Sequence, residues 1–220
     1  MRPLESRLGR LNREDPTNAE LIGRLESHYH WNAGGAGERL DASGLDLSGS
    51  LLDGIDFGEA WFTNCVFDGA QIRGANMAGV ELRNCSFIGA DLTATTFAKA
   101  ETWDCAFGNT TLREVNFLRW GSFRADFREA DLAGAELRRF ACHDGDLRDA
   151  LFWDAILDRT CFDSCLLVGA SFVGVTGTLL PYPINVGSRE EPRLLEGEEA
   201  LDWLRAAGAM DVSWFVSRPR

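Results

Sequence analysis

Long apolar runs are missing from this 220-residue chain; none approaches the roughly 18 residues that a membrane-spanning helix requires. The opening segment, MRPLESRLGRLNRED, alternates charge with leucine and lacks the apolar centre of a secretion signal. A cytoplasmic protein without membrane contact is therefore expected, with its six cysteines reduced. Lysine is nearly absent: Lys99 stands alone among 22 basic residues. Positive charge is also outweighed. The formal net charge of −12 argues against direct nucleic-acid binding, which depends on neutralising phosphates, and leaves room for a basic partner.

Catalytic groupings are missing too. No Ser/His/Asp pattern, phosphate-binding loop or carboxylate dyad can be picked out. His28 and His30 stand two apart on a predicted helix end, hence on different faces, and His143 is isolated. The cysteines lack zinc-ligand spacing with a histidine partner. The chain thus offers no catalytic, cofactor-binding or metal-binding residue, and a protein that is not an enzyme is expected.

What is present is a repeat. Every fifth residue from Leu47 to Phe172 defines 26 positions, and all but Thr102, Ser122 and Cys142 carry a large apolar side chain. Two residues before each centre the side chain is usually small, as at Ala60, Cys65, Ala70 and Ala75. The residue just before the centre is often Asp, Asn or Glu. A period of five is neither the helical 3.6 nor the strand period of 2. Two inward residues two apart nonetheless read as a short extended side. Glycines two residues after the centre, such as Gly69, Gly74 and Gly79, suit corners between sides. A second spacing of twenty relates Thr102, Ser122 and Cys142, and likewise Cys65, Cys85 and Cys105, so each coil has four sides. The repeats then make about 6.5 coils, a rod of roughly 30 Å at ~4.8 Å per coil.

The segments GADLT (89–93), EADLA (129–133) and GANMA (74–78) match the motif A(D/N)LXX, and the repeat resembles the pentapeptide-repeat family over residues 41–176. The resemblance implies an all-β solenoid, a right-handed quadrilateral β-helix. Through the family's best-understood members it also implies an acidic DNA mimic that binds a type II topoisomerase, DNA gyrase, in regulation, drug tolerance or self-protection. The alternative is an interaction scaffold unrelated to gyrase.

Outside the repeat, residues 1–40 are expected to form a helical cap and 177–220 a strand-and-helix cap. Thr17 and Glu20 make a capping box, and Leu21, Ile22, Leu25 and Tyr29 make an apolar stripe, which predicts a helix over 18–29. EGEEALDWLRAAGAM reads as a second helix and DVSWFV as a short strand. Caps of this kind cover the unpaired edge at each end of a stacked-coil rod. Alternatively, the C-terminal segment joins two rods into a homodimer through Trp203, Trp214 and Phe215.

Three features of the repeat remain. Cys65, Cys85, Cys105 and Cys165 read as a buried ladder of thiols, Cys142 is inward as well, and Cys161 is the most exposed of the six. Lys99, Arg119, Arg139 and Arg159 form a column at one corner, with Arg138 beside it. That column reads either as a ladder neutralised by Glu101, Asp104 and Asp144 or as a docking strip for an acidic partner or an anion. On the adjoining side, Ser122 and Cys142 are small where Trp120 and Phe140 are large, a volume exchange that a core tolerates. Trp103, Phe123 and His143 then fall in an outward column beside the basic corner. They are either an interface or, through a local bulge at Trp103, partly tucked inward.

Overall fold

The structure, a computed structural model, describes residues 22–28, 30, 34 and 37–216. It is a four-sided parallel β-solenoid of about seven turns with two short helices. All 26 repeat centres are buried, none more than 3% exposed. Their side chains fill the axis of the rod in columns. Phe67, Phe87, Phe107 and Phe127 stack nearly parallel, with centroids 4.6, 5.0 and 4.9 Å apart. Those distances equal the separation of neighbouring strands, so one ring is supplied per coil.

Three of the four sides are joined to their neighbours by single parallel bridges twenty residues apart, such as Leu51↔Gln71 and Asp56↔Asn76. The fourth side, centred on Ala42, Phe62, Leu82, Thr102, Ser122, Cys142 and Phe162, carries regular strands along its whole length, as side three does only in its last coils. It comprises β1 (Asp41–Ser43), β2 (Trp61–Thr63), β3 (Glu81–Arg83), β4 (Glu101–Trp103) and β5 (Gly121–Phe123). After β6 (Glu136–Arg138), on side three, it continues with β7 (Ala141–His143) and the end of the eight-residue β8 (Ile156–Asp163). Each strand is in register with the next at a step of twenty, as in Trp61↔Glu81 and Gly121↔Ala141.

Corner geometry distinguishes the sides. Many corners of the other three close with a turn hydrogen bond, for example Ala70 N–H to Phe67 C=O at 3.0 Å. Where side four turns into side one that bond is replaced. The Cys85 thiol reaches the Phe62 carbonyl of the preceding coil at 3.4 Å, and the Cys165 thiol the Cys142 carbonyl at 3.2 Å. A cysteine at this corner is thus small enough for the core and still a weak donor for an otherwise open carbonyl. All six cysteines are free and buried. Cys161, expected to be the most exposed, is 2% exposed because β8 is covered there by the chain following β9 (Thr176–Leu179), with Leu180 N–H bonded to Thr160 C=O at 2.7 Å.

The residue two after each centre has positive φ in all 26 repeats, and 17 of these residues are not glycine. Ala94 (φ 56°), Lys99 (φ 62°) and Arg119 (φ 58°) are examples. The corner therefore demands a left-handed residue whatever its side chain. The carboxylates before the centres serve these turns. Asp46 accepts from Ser48 N–H at 3.0 Å, and Asp91 from Thr93 N–H at 3.0 Å.

At the N-terminal end, residues 22–28 are helical (α1), and Ile22 and Leu25 join the core. Buried His28 accepts from Leu40 N–H through Nδ1 at 2.9 Å. The capping box and Leu21 and Tyr29 of the stripe lie outside the described residues. At the C-terminal end, β10 (Ile184–Asn185) pairs with β11 (Leu194–Leu195). Helix α2 (Gly197–Ala206) buries Ala200, Leu201 and Leu204, and β12 (Asp211–Trp214) pairs in parallel with β9.

Candidate functional site

The irregular centres of side four are resolved in the core. Thr102, Ser122 and Cys142 point inward, and Thr102 Oγ1 donates to Ser122 Oγ at 3.1 Å. The space beside Ser122 is taken by the wholly buried Trp120, stacked on Phe97 at 5.1 Å and edge-on to Phe107 and Phe127, each at 5.8 Å. Phe140 does the same beside Cys142, 5.4 Å from Trp120. Trp120 Nε1 has no hydrogen-bond partner among the described residues, so the exchange carries an unsatisfied donor into the core.

With the frame intact, the next residue of each strand points outward, and β4 forms no bulge at Trp103: Arg83↔Trp103 and Trp103↔Phe123 remain in register. The inward arrangement of Trp103 is therefore excluded. Its ring instead lies half-buried in an external stack. The Arg83 guanidinium sits 4.1 Å from the Trp103 ring centroid. Trp103 stacks on Phe123 at 6.0 Å and 8°, and Phe123 on His143 at 5.1 Å and 12°. His143 Nδ1 is 3.1 Å from Asp163 Oδ2. The ladder Arg83–Trp103–Phe123–His143–Asp163 thus spans five coils, each of its ring contacts worth about 0.5–1.5 kcal/mol. Arg83 and Asp163, its two ends, belong to the site although attention to aromatic residues alone passes over them. The signal was their place in the same twenty-residue column.

The basic corner borders this ladder. Lys99, Arg119 and Arg139 are exposed, as is Arg138. None makes an ion pair or a side-chain hydrogen bond among the described residues. The neutralised ladder does not form: Asp104 takes a two-pronged contact from Arg124, 2.7 Å at each oxygen, and neither Glu101 nor Asp144 makes an ion pair among the described residues. That hydrogen bond holds the Asp104 carboxyl below its ordinary range. Arg159 leaves the group, half-buried, with its guanidinium 5.1 Å from the Phe215 ring and Nε 3.4 Å from Asp158. Between corner and ladder the strand residues are Gly121 and Ala141, and a Cβ on Gly121 would lie 3.6 Å from the Phe123 ring. Further along the side, Arg39 covers Trp61 at 3.5 Å, and a surface pocket of about 370 Å³ lies among Asp41, Trp61, Thr63, Glu81 and Arg83.

The C-terminal aromatics pack against different partners. Trp203 lies edge-on to Phe172 at 6.2 Å, over the last coil. Trp214 packs partly buried against the core, and Phe215 meets Arg159. Among the described residues no cluster of His, Cys, Asp or Glu could hold a metal ion, and no helix is long and apolar enough to cross a membrane.

Coils of four five-residue sides, with one side in regular strands, define a class of parallel β-solenoid. The repeat region matches the pentapeptide-repeat family: the family model for pentapeptide repeats covers residues 43–79 and 75–113, with eight copies. Solved structures similar to it include HetL, a pentapeptide repeat protein involved in heterocyst differentiation regulation in Nostoc sp. strain PCC 7120 (20% identity, TM-score 0.45, covering 74% of this chain and 87% of that one). Another is a trypsin-treated form of QnrB1, a plasmid-mediated fluoroquinolone resistance protein (18%, 0.41, 65% and 83%). A third is a pentapeptide repeat protein from the thylakoid lumen of Arabidopsis thaliana (24%, 0.14, 63% and 68%). No curated protein matches the chain.

Proposed function

We propose that this chain is a rigid, non-enzymatic protein-binding rod whose working side is side four with its basic corner. One observation carries the reading. Of the 11 Lys and Arg residues between 41 and 175, seven lie in ion pairs within the rod, while Lys99, Arg119, Arg138 and Arg139 do not. All four line the corner next to the half-buried aromatic ladder. Rings and arginine in one patch have the composition of an interface. A photo-crosslinking phenylalanine analogue at position 123, with the same group at Thr93 on side two as control, tests this in the native lysate. A discrete protein adduct from 123 alone is expected; equal labelling from both sites, or none, removes the reading.

A second reading is favoured by the opposite side. Glu129 and Asp149 flank side two at one corner and Glu114 and Asp154 at the other, and none forms an ion pair among the described residues. Together with the net charge of −12 they support an acidic rod offered to the DNA saddle of a type II topoisomerase such as DNA gyrase. A homodimer through the C-terminal segment belongs to this reading. Both readings assume a bacterial cytoplasm. Inhibition of gyrase supercoiling at low micromolar protein is its expected outcome, and no effect at large excess removes it.

A further inference from the structure

The chemistry of the partner can be taken from which groups of side four are already satisfied. The inner rings of the ladder have spent their faces: Trp103 lies between Arg83 and Phe123, and Phe123 between Trp103 and His143. A nucleobase or a further aromatic ring has no face of Phe123 left to stack on. What the column presents outward is ring edge, the electropositive rim of the π system, which attracts anions. The cations beside it are likewise unspent, since Lys99, Arg119, Arg138 and Arg139 make no ion pair among the described residues. The strand column separating corner from ladder is acidic only early, at Asp41, Glu81 and Glu101; opposite Arg119 and Arg139 it is Gly121 and Ala141. That leaves a shallow, uncharged floor between cations on one hand and ring edges on the other. Elsewhere on the rod the cations are matched by their own carboxylates, as in Arg73–Asp91 at 2.6 Å and Arg128–Asp126 at 2.7 Å.

We infer that this strip docks an acidic polypeptide segment, its carboxylates seated between the corner formed by Lys99, Arg119, Arg138 and Arg139 and the edges of Phe123 and His143. The inference rests on side four being the working side. It inverts the charge logic of the mimicry reading, because the net-negative rod would present its one uncompensated basic strip to an acidic partner.

The test uses the full chain and fluorescein-labelled deca-glutamate, with deca-lysine and a twenty-nucleotide oligothymidylate for comparison, read by fluorescence anisotropy. Deca-glutamate should bind, weaken as salt rises, and lose at least about tenfold in affinity in the Arg119→Glu/Arg139→Glu variant. The charge-matched Arg73→Glu/Arg113→Glu variant on side two should bind as the parent does. Because Lys99 is the sole lysine, bound peptide should also slow its acetylation by an amine-reactive reagent, read by mass spectrometry of that single site. Absence of deca-glutamate binding, an equal loss in both variants, or tighter binding of the oligothymidylate overturns the inference. If crosslinks from position 123 persist while deca-glutamate fails, only the acidic character of the partner falls. If both fail, the reading of side four as the working side falls with it.

Discussion

The exchange of volume between Trp120 and Ser122 can be measured as a coupling energy. Trp120→Ala alone removes an indole that contacts Phe97, Phe107, Phe117, Phe127 and Phe140. Large-to-small changes at such sites cost about 3–5 kcal/mol, and deleting the unpartnered Nε1 returns about 1 kcal/mol of that. Ser122→Leu alone forces extra carbons against the indole, about 1–3 kcal/mol, and breaks the Thr102–Ser122 hydrogen bond, about 1 kcal/mol more. The double variant places a small residue before a leucine centre, the arrangement found two coils away on the same side at Val80 and Leu82. It should therefore cost about 2–4 kcal/mol less than the sum of the single changes. Urea denaturation of the four proteins of this cycle, followed by circular dichroism, supplies the numbers. Additivity within about 0.5 kcal/mol would refute the argument, because it would mean that the two side chains do not share one space.

Three further outcomes are expected. At the open corners, Ala94→Gly should stabilise by about 0.5–1 kcal/mol and Gly89→Ala should destabilise by a similar amount, since φ is 56° and 66° there and a Cβ at Gly89 meets nothing within 4 Å; thermal melts decide. Burial lowers the His28 imidazole below its ordinary value near 6.5, so the unfolded chain binds the proton more readily. Stability should be full above pH 6.5 and fall as pH drops toward the lowered folded value, and His28→Asn should flatten that slope in denaturation measured from pH 7.5 to about 5. None of the six thiols should react with a thiol reagent at pH 8 until denaturant is added; a hydrogen bond to Cys105 pushes Cys85 up to about 12, and burial pushes Cys161 up to about 11. Rapid labelling in native buffer would contradict the packing around them.

The five-residue spacing is a direct image of the core, because each centre must be buried and a core position tolerates few side chains. The twenty-residue spacing of odd residues was equally readable, since neighbours in one column share one environment. Corner conformation was not. Glycine signals a left-handed corner, but Lys99, Arg119 and Ala94 adopt the same φ with no mark in their identity, because the turn imposes it. The fate of charges was hidden for a related reason: Asp104 is closer in sequence to Lys99 and Arg119 than to Arg124, yet coil stacking brings Arg124 to it. Cys161 was misread as exposed because its cover comes from beyond the repeat, where the period gives no guidance. Whether Trp103 faced out depended on β4 staying in register, a property of backbone pairing rather than of any single side chain.

The uniform left-handed corners carry a consequence for how such a rod can change. Since the backbone there is dictated by the turn, a corner side chain is fastened to the outside without taking part in what fills the axis. Specificity and foldability are thus written in separate alphabets on the same chain. A descendant could exchange one partner for another by recolouring a single column, four or five substitutions spaced twenty apart, and could gain or lose a whole coil of twenty residues without any remaining column losing its alignment.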